Sequence, residues 1–188
     1  MKKSQFYAGF LAPLVAFSGI GAAAYINRSW WRITENAISD LGRVGLPSNW
    51  VLNVSLITTA ALAIYYAIGL FTLLRNDVEK AGIAIFILGL AFLALIGLFP
   101  EGTSPHFTVS WGFFVITSIG LLVTGLGMGL SERKGLTAFT VIIFVLGWAL
   151  GLWAKEHYHG VAVAEFIGAA TFALWHYVIF FSLTKSVQ

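Results

Sequence analysis

The stretch Ala81-Gly-Ile-Ala-Ile-Phe-Ile-Leu-Gly-Leu-Ala-Phe-Leu-Ala-Leu-Ile-Gly-Leu-Phe99 contains no charged side chain and uses only Ala, Gly, Ile, Leu and Phe. Asp77, Glu79 and Lys80 stand just before it, and Glu101 just after. A helix crossing the roughly 30 Å hydrocarbon core of a bilayer needs about 20 consecutive apolar residues. This run supplies nineteen. Membrane-barrel strands are about 10 residues long and alternate strictly, a pattern this run lacks.

Five further stretches meet the same length requirement: Phe6–Ile26, Trp50–Leu74, Phe107–Leu130, Leu136–Ala154 and Val161–Leu183. They consume most of the 188 residues and leave no segment for a separate soluble domain. The expected fold is therefore all-α: a polytopic membrane protein, one domain over residues 1–188, built as a six-transmembrane-helix bundle. Composition agrees. The chain is 59% hydrophobic and only 10% charged, against about 25% charged in an ordinary soluble domain. Such a chain cannot cover a globular surface with polar groups. Disorder is excluded by 16 Phe, 7 Trp and 6 Tyr, since disordered segments are poor in aromatics. The absence of cysteine excludes disulfides, thiolate metal sites and cysteine nucleophiles.

Lys2 and Lys3 followed by an apolar run ending in Ala22-Ala23-Ala24 imitate a secretory signal. The run is longer than a typical signal core and leads into Asn27–Trp31, an interfacial anchor, so a retained first helix is expected. Basic residues then set orientation. Lys2, Lys3, Arg75, Lys80, Arg133, Lys134 and Lys185 fall on one side; Arg28, Arg32, Arg43 and Lys155 fall on the other. This predicts a cell-membrane protein with both termini cytoplasmic. The net charge of +3 follows from that distribution, and nucleic acid is not an expected partner. Membrane lipid is, and homo-oligomerisation stays open. Trp30, Trp31, Trp50, Trp111 and Trp153 cluster at the outer boundary, where aromatic belts form. Gly147/Gly151 and Ala164/Gly168 offer small-residue steps for close helix packing.

In so apolar a chain the polar residues carry the information. Asp77, Glu79 and Glu132 fall in inner turns beside basic residues and read as solvated loop charges. Glu35, Asp40, Glu101, Glu156 and Glu165 all fall on the outer side, with His106, His157 and His159. His176 alone lies toward the inner half. The first outer connection reads as a short interfacial helix, with Thr34 its N-cap and Gly42 its stop. Ile33, Ala37, Leu41 and Val44 would share one face, and Asn36, Ser39, Asp40 and Arg43 the other. This segment either lies on the interface or folds Ser39 and Asp40 inward as a lid. Ser104 is expected to cap the fourth helix, with Pro105 at its first position. Glu101 and His106 then share one depth. Glu165 lies about one turn inside the sixth helix, where an acid is costly and usually finds a partner. His176 is three turns, roughly 16 Å, further along, so the two cannot share one metal.

Several chemistries fit this gathering. Asp40, Glu101, His106, His157, His159 and Glu165 could supply zinc ligands, three of which would leave a position for an activated water, although no compact metal motif is present. A serine mechanism would need Ser39 or Ser104 beside a histidine. Proton-coupled transport would use Glu165, His176 and Asn53, and a lipid pocket without catalysis is a further possibility.

The run Asn36-Ala37-Ile38-Ser39-Asp40-Leu41-Gly42, with Gly97-Leu98-Phe99-Pro100-Glu101 followed by His106, resembles the hallmark of the domain of unknown function 998 family. These are small prokaryotic integral membrane proteins of about six helices. The resemblance spans most of the chain and marks Asn36, Ser39, Asp40, Gly42, Glu101 and His106 as motif residues. It implies fold and location and brings no activity. The chain is more distantly similar to seven-helix membrane hydrolases typified by alkaline ceramidases, whose zinc uses His and Asp, but it has six helices and lacks their paired HxxxH.

Together these readings give an outer-side pocket under residues 28–44 holding Asp40, Glu101 and His106, completed by Glu165 or a third-loop histidine. The expected function is a membrane-embedded site acting on a lipid or amphiphile, a metal-assisted hydrolase being one version of it, with a non-catalytic lipid or ligand binder or a proton-coupled small-solute transporter as the alternative.

Overall fold

In hydrocarbon a backbone must satisfy its own polar groups, and each apolar run does so as a helix. The computed structural model describes residues 1–184; Lys185, counted above on the inner side, lies outside the described residues. The helices are α1 (Lys3–Ile26), α2 (Asn49–Leu70), α3 (Asp77–Leu98), α4 (His106–Leu130), α5 (Lys134–His157) and α6 (Ala162–Leu183). All six are long and apolar enough to cross a membrane. No strand occurs among the described residues. Boundaries differ from the expected spans by a few residues. Polar helix formers such as Asp77–Lys80 extend α3 beyond the apolar run, and a 3-10 turn at Phe71–Leu73 closes α2 early.

Helices adjacent in sequence pack side by side, and α6 returns to touch both α4 and α1. The chain thus rings a central space. Alternating directions put the start of α1, the end of α6 and the α2–α3 and α4–α5 connections at one end, called here the terminal end; the ammonium of Met1 donates to Thr72 Oγ1 there at 2.9 Å. The other three connections form the loop end.

Glycine sets the closest approach. On α3, Gly82 and Gly89 face Thr124 and Thr117 of α4; on α4, Gly120 and Gly127 face the backbones of Phe86 and Glu79. A Cβ at Gly120 would stand 2.4 Å from the Phe86 nitrogen. These glycines recur every seven residues, a repeat that keeps one face toward a partner helix. Gly147 packs on Thr171 as a small-residue step should, whereas Gly151 opens onto space, its Cβ position meeting only the Ala164 carbonyl oxygen at 4.0 Å.

Pro13 sits within α1. Its missing N–H leaves the carbonyl of Gly9 without a helical donor. His176 Nε2 takes that carbonyl at 2.7 Å, joining α6 to α1.

Three local expectations are corrected. Residues 34–42 do not form one amphipathic helix; only Ser39–Gly42 makes a 3-10 turn. The reason is competition for hydrogen bonds. Asn36 Oδ1 accepts from Arg32 N–H and Asp40 Oδ2 from Ala37 N–H, both at 2.8 Å. The carbonyls of Thr34 and Asn36 accept from Gly160 and Ala162 N–H at 2.9 and 2.8 Å. Leu41 is buried, while Ile33 and Val44, expected on its face, are exposed. Ser104 does not cap α4; Pro105 occupies that position and no side chain caps it. Glu79 is not solvated: it is fully buried, accepting from Arg75 N–H at 2.8 Å and lying 3.5 Å from Arg133 Nη1.

Candidate functional site

The second connection is short, so the end of α3 and the start of α4 bring Glu101 and His106 together. His106 is buried in the first turn of α4. Its Nδ1 lies 2.9 Å from the carbonyl oxygen of Phe99. A carbonyl only accepts, so Nδ1 carries the proton and Nε2 faces two partners. Glu101 Oε2 is 3.0 Å away and Ser110 Oγ 3.2 Å. When the ring is neutral, Nε2 accepts, and the Ser110 hydroxyl donates to it. When the ring is protonated, Nε2–H donates to the Glu101 carboxylate. One imidazole nitrogen therefore faces both a serine and a carboxylate. This differs from a Ser-His-Asp triad, whose acid holds Nδ1; the Phe99 carbonyl holds it here.

Ser110 was not among the sequence candidates. Its signal was the i, i+4 spacing from His106, which places both side chains on one face of a helix.

The group opens on a cavity of about 520 Å³ between α4, α5 and α6. Glu101, Ser104, His106, Lys155 and Glu165 lie around its mouth, and Phe114, Leu121, Phe144, Trp148 and Phe172 line its depth. From His106 to Leu121 is fifteen residues of α4, about 22 Å at 1.5 Å per residue. Gly151 puts no side chain into this space, while Gly147 and Gly168 line it but pack on Thr171 and Phe114. A polar mouth above an apolar shaft matches an amphiphile, and the volume falls within the range of about 300–1,000 Å³ usual for ligand sites.

Of the sequence candidates, Glu101, His106, Glu165, Ser39 and Ser104 line this cavity. Glu165 Oε2 accepts the N–H of Ile38. Asp40 does not line it, its carboxylate forming the turn on Ala37 N–H. His157 bonds Trp153 O and stacks on that ring; His159 is exposed, 3.7 Å from Glu35. Neither histidine reaches His106. Asn36 and Gly42 hold the first connection: Asn53 Nδ2 donates to the Gly42 carbonyl, and a Cβ at Gly42 would meet Asn53 Oδ1. Two expected zinc ligands, His106 and Glu101, thus meet; no group of three or more His, Asp or Glu suited to a metal occurs among the described residues.

Fold and site define a polytopic helical membrane protein with a ligand-sized cavity opening at one end. The family model described as "Protein of unknown function (DUF998)" matches residues 10–182, and the chain belongs to that family. No curated protein and no solved structure matches it.

Proposed function

We propose that the chain binds a lipid or other amphiphile in the cavity and hydrolyses it at the polar head. Ser110 is the attacking hydroxyl and His106 with Glu101 the acid–base pair. The observation that carries this is the Ser110 Oγ to His106 Nε2 contact of 3.2 Å, with Nδ1 held by Phe99, at the mouth of an apolar shaft. As Oγ attacks an acyl carbonyl, its proton passes to Nε2. The imidazolium returns that proton to the leaving group, while Glu101 stabilises its charge. Water completes the cycle by cleaving the acyl-serine. The zinc version keeps His106 and Glu101 as ligands, because an imidazole whose Nδ1–H bonds a backbone carbonyl is well oriented for a metal. The excess of basic residues at the terminal end supports placing that end in the cytoplasm of a cell-membrane protein.

The test uses the full chain in lipid nanodiscs. Extracted lipid is identified by mass spectrometry, and turnover is assayed over ester- and amide-linked lipids. Wild type retains stoichiometric lipid and turns over one class; Ser110→Ala retains lipid without turnover; Gly151→Phe, which fills the shaft, retains none. If Gly151→Phe holds the same lipid as wild type, the cavity reading fails. Lipid retained with no turnover of any class leaves a binder. Stoichiometric metal that is lost in His106→Ala selects the zinc version.

A further inference from the structure

On α6 two stripes of residues stand side by side, each built on helical steps of three and four. Val161, Ala164, Gly168 and Thr171 face the cavity of about 520 Å³. Glu165, Ala169, Ala173 and His176 face a second space, of about 130 Å³, walled by α1, α2, α3, α4 and α6 and roofed by Ile38 and Ser39. Glu165 and Phe172 fall on the edge between the stripes and line both spaces. On α4 the shared edge holds Ser110 and Phe114. The two spaces therefore meet at Ser39, Ser110 and Glu165. Below that junction they part around Phe114 and Phe172, whose ring centroids are 6.1 Å apart.

Below the junction the inner limb is apolar. Thr59 and Thr117 line it, but their hydroxyl oxygens are sealed from it, that of Thr117 against Gly89 of α3. His176 closes the far end, its Nε2 bonded to Gly9. Leu56, Phe86 and Leu90 stand in the walls, and Ala12, Ala16 and Ala173 keep the space between α1 and α6 open. Bound water needs two to four polar partners, which such a wall does not give. A hydrocarbon chain needs none. From Glu165 to His176 in the inner limb, and from Ser110 to Leu121 in the outer, is eleven residues of helix, about 16 Å. The chains of one leaflet span half the hydrocarbon core, about 15 Å. Each limb thus has the depth of a fatty chain. The limbs fork beneath a polar junction, as the chains of a two-chain lipid fork beneath their ester or amide linkages.

We propose that the two spaces are limbs of one site and that its ligand is a two-chain membrane lipid. The head lies at the mouth, beside Glu101, His106 and Lys155. The linkage region lies at Ser39, Ser110 and Glu165, and the chains straddle the Phe114–Phe172 pair, one in each limb. The inner limb, equal in depth but smaller in volume, takes a single unbranched chain. This inference rests on the reading of the outer cavity as an amphiphile site and narrows that amphiphile to one lipid class. It does not depend on turnover.

The probe is a fatty acid carrying a diazirine near its methyl end, fed to cells producing the full chain so that it enters the lipids they make. After irradiation of the membranes, adducts are mapped by mass spectrometry, and the mass of each adduct counts its chains. Ser110→Ala is labelled in parallel, so that a lipid cut by the wild type is still seen whole. Leu121 lines only the outer limb and Phe86 only the inner, and both are buried from the surrounding bilayer. Ile179, buried and lining neither space, is the control. Leu121 and Phe86 are both expected to label several-fold above Ile179, each with the mass of a two-chain lipid. Ala173→Phe, which fills the inner limb, is expected to lower the two-chain adducts at both residues several-fold. Labelling of Leu121 without Phe86, or adducts of single-chain mass alone in both proteins, overturns the proposal and leaves a one-chain amphiphile in the outer cavity. Labelling of neither residue above Ile179 overturns the outer-cavity reading as well. Unchanged two-chain adducts at Leu121 in a folded Ala173→Phe protein also overturn the proposal. The pattern in the unblocked protein decides even if Ala173→Phe does not fold.

Discussion

The carboxylate of Glu165 accepts the backbone N–H of Ile38 across 127 positions of sequence, fixing the first connection over the cavity. Glu165→Ala leaves that N–H bare in a part-buried setting, a loss of about 1–3 kcal/mol. Glu165→Gln keeps an acceptor. Arg32 and Arg43 on the same connection are exposed, so limited tryptic cleavage there reads the loosening. Cleavage should quicken severalfold in the alanine variant and little in the glutamine variant. Equal rates in all three proteins would show that other contacts hold the connection.

Gly120 and Gly21 both lie inside helices but face different surroundings. A Cβ at Gly120 meets the Phe86 backbone at 2.4 Å, while one at Gly21 meets nothing within 4 Å. Gly120→Ala must push α3 from α4 and should lower the melting temperature, at a cost of about 1–3 kcal/mol typical of overpacking. Gly21→Ala removes only backbone freedom and should leave stability unchanged or raise it, by up to about 1 kcal/mol. Thermal unfolding followed by tryptophan fluorescence separates the two. A Gly120→Ala protein as stable as wild type would contradict the close approach of α3 and α4.

The six helices could be read from sequence because bilayer thickness imposes a one-dimensional rule that local composition obeys or breaks. Glu101 and His106 were legible for a similar reason, since a short connection leaves them nowhere else to go. What escaped depended on distant partners. The spacing of Ile33, Ala37 and Leu41 suits a helix, yet the carbonyls of Thr34 and Asn36 bond Gly160 and Ala162, far along the chain. Glu79 read as a turn charge until Arg133, 54 positions away, closed on it. Asp40 looked like a site acid because of its neighbours, but its carboxylate satisfies Ala37 locally. Ser110 was hidden among apolar residues, although its offset from His106 was in plain view.

Glu79 and Arg133 form a clasp at the terminal end, with the carboxylate fully buried and the guanidinium half-buried. Removing one partner of a buried pair typically costs about 3–5 kcal/mol. Here the lower figure is expected, because the 3.5 Å contact is long and Arg75 N–H and Asn76 still reach the carboxylate. Arg133→Met should therefore destabilise by about 3 kcal/mol, and adding Glu79→Gln should recover part of the loss. Chemical unfolding of the single and double variants checks this. Strict additivity would mean that the two side chains do not interact.

His106 and His176 should hold opposite tautomers. Each ring gives one nitrogen to a backbone carbonyl: Nδ1 of His106 to Phe99 at 2.9 Å and Nε2 of His176 to Gly9 at 2.7 Å. The proton must sit on the bonded nitrogen, because a carbonyl cannot donate. Neutral His106 therefore carries Nδ1–H and exposes a basic Nε2 to Ser110 and Glu101, whereas neutral His176 carries Nε2–H. Nitrogen-15 spectra of histidine-labelled protein distinguish the two forms, and His106→Gln and His176→Gln variants assign the signals. Pro13→Ala supplies an N–H that can retake the Gly9 carbonyl, so it should disturb the His176 signal and spare that of His106. Ser110→Ala should leave the His106 tautomer unchanged, since Phe99 sets it. Finding His106 protonated on Nε2 in its neutral form would remove the acceptor that Ser110 needs.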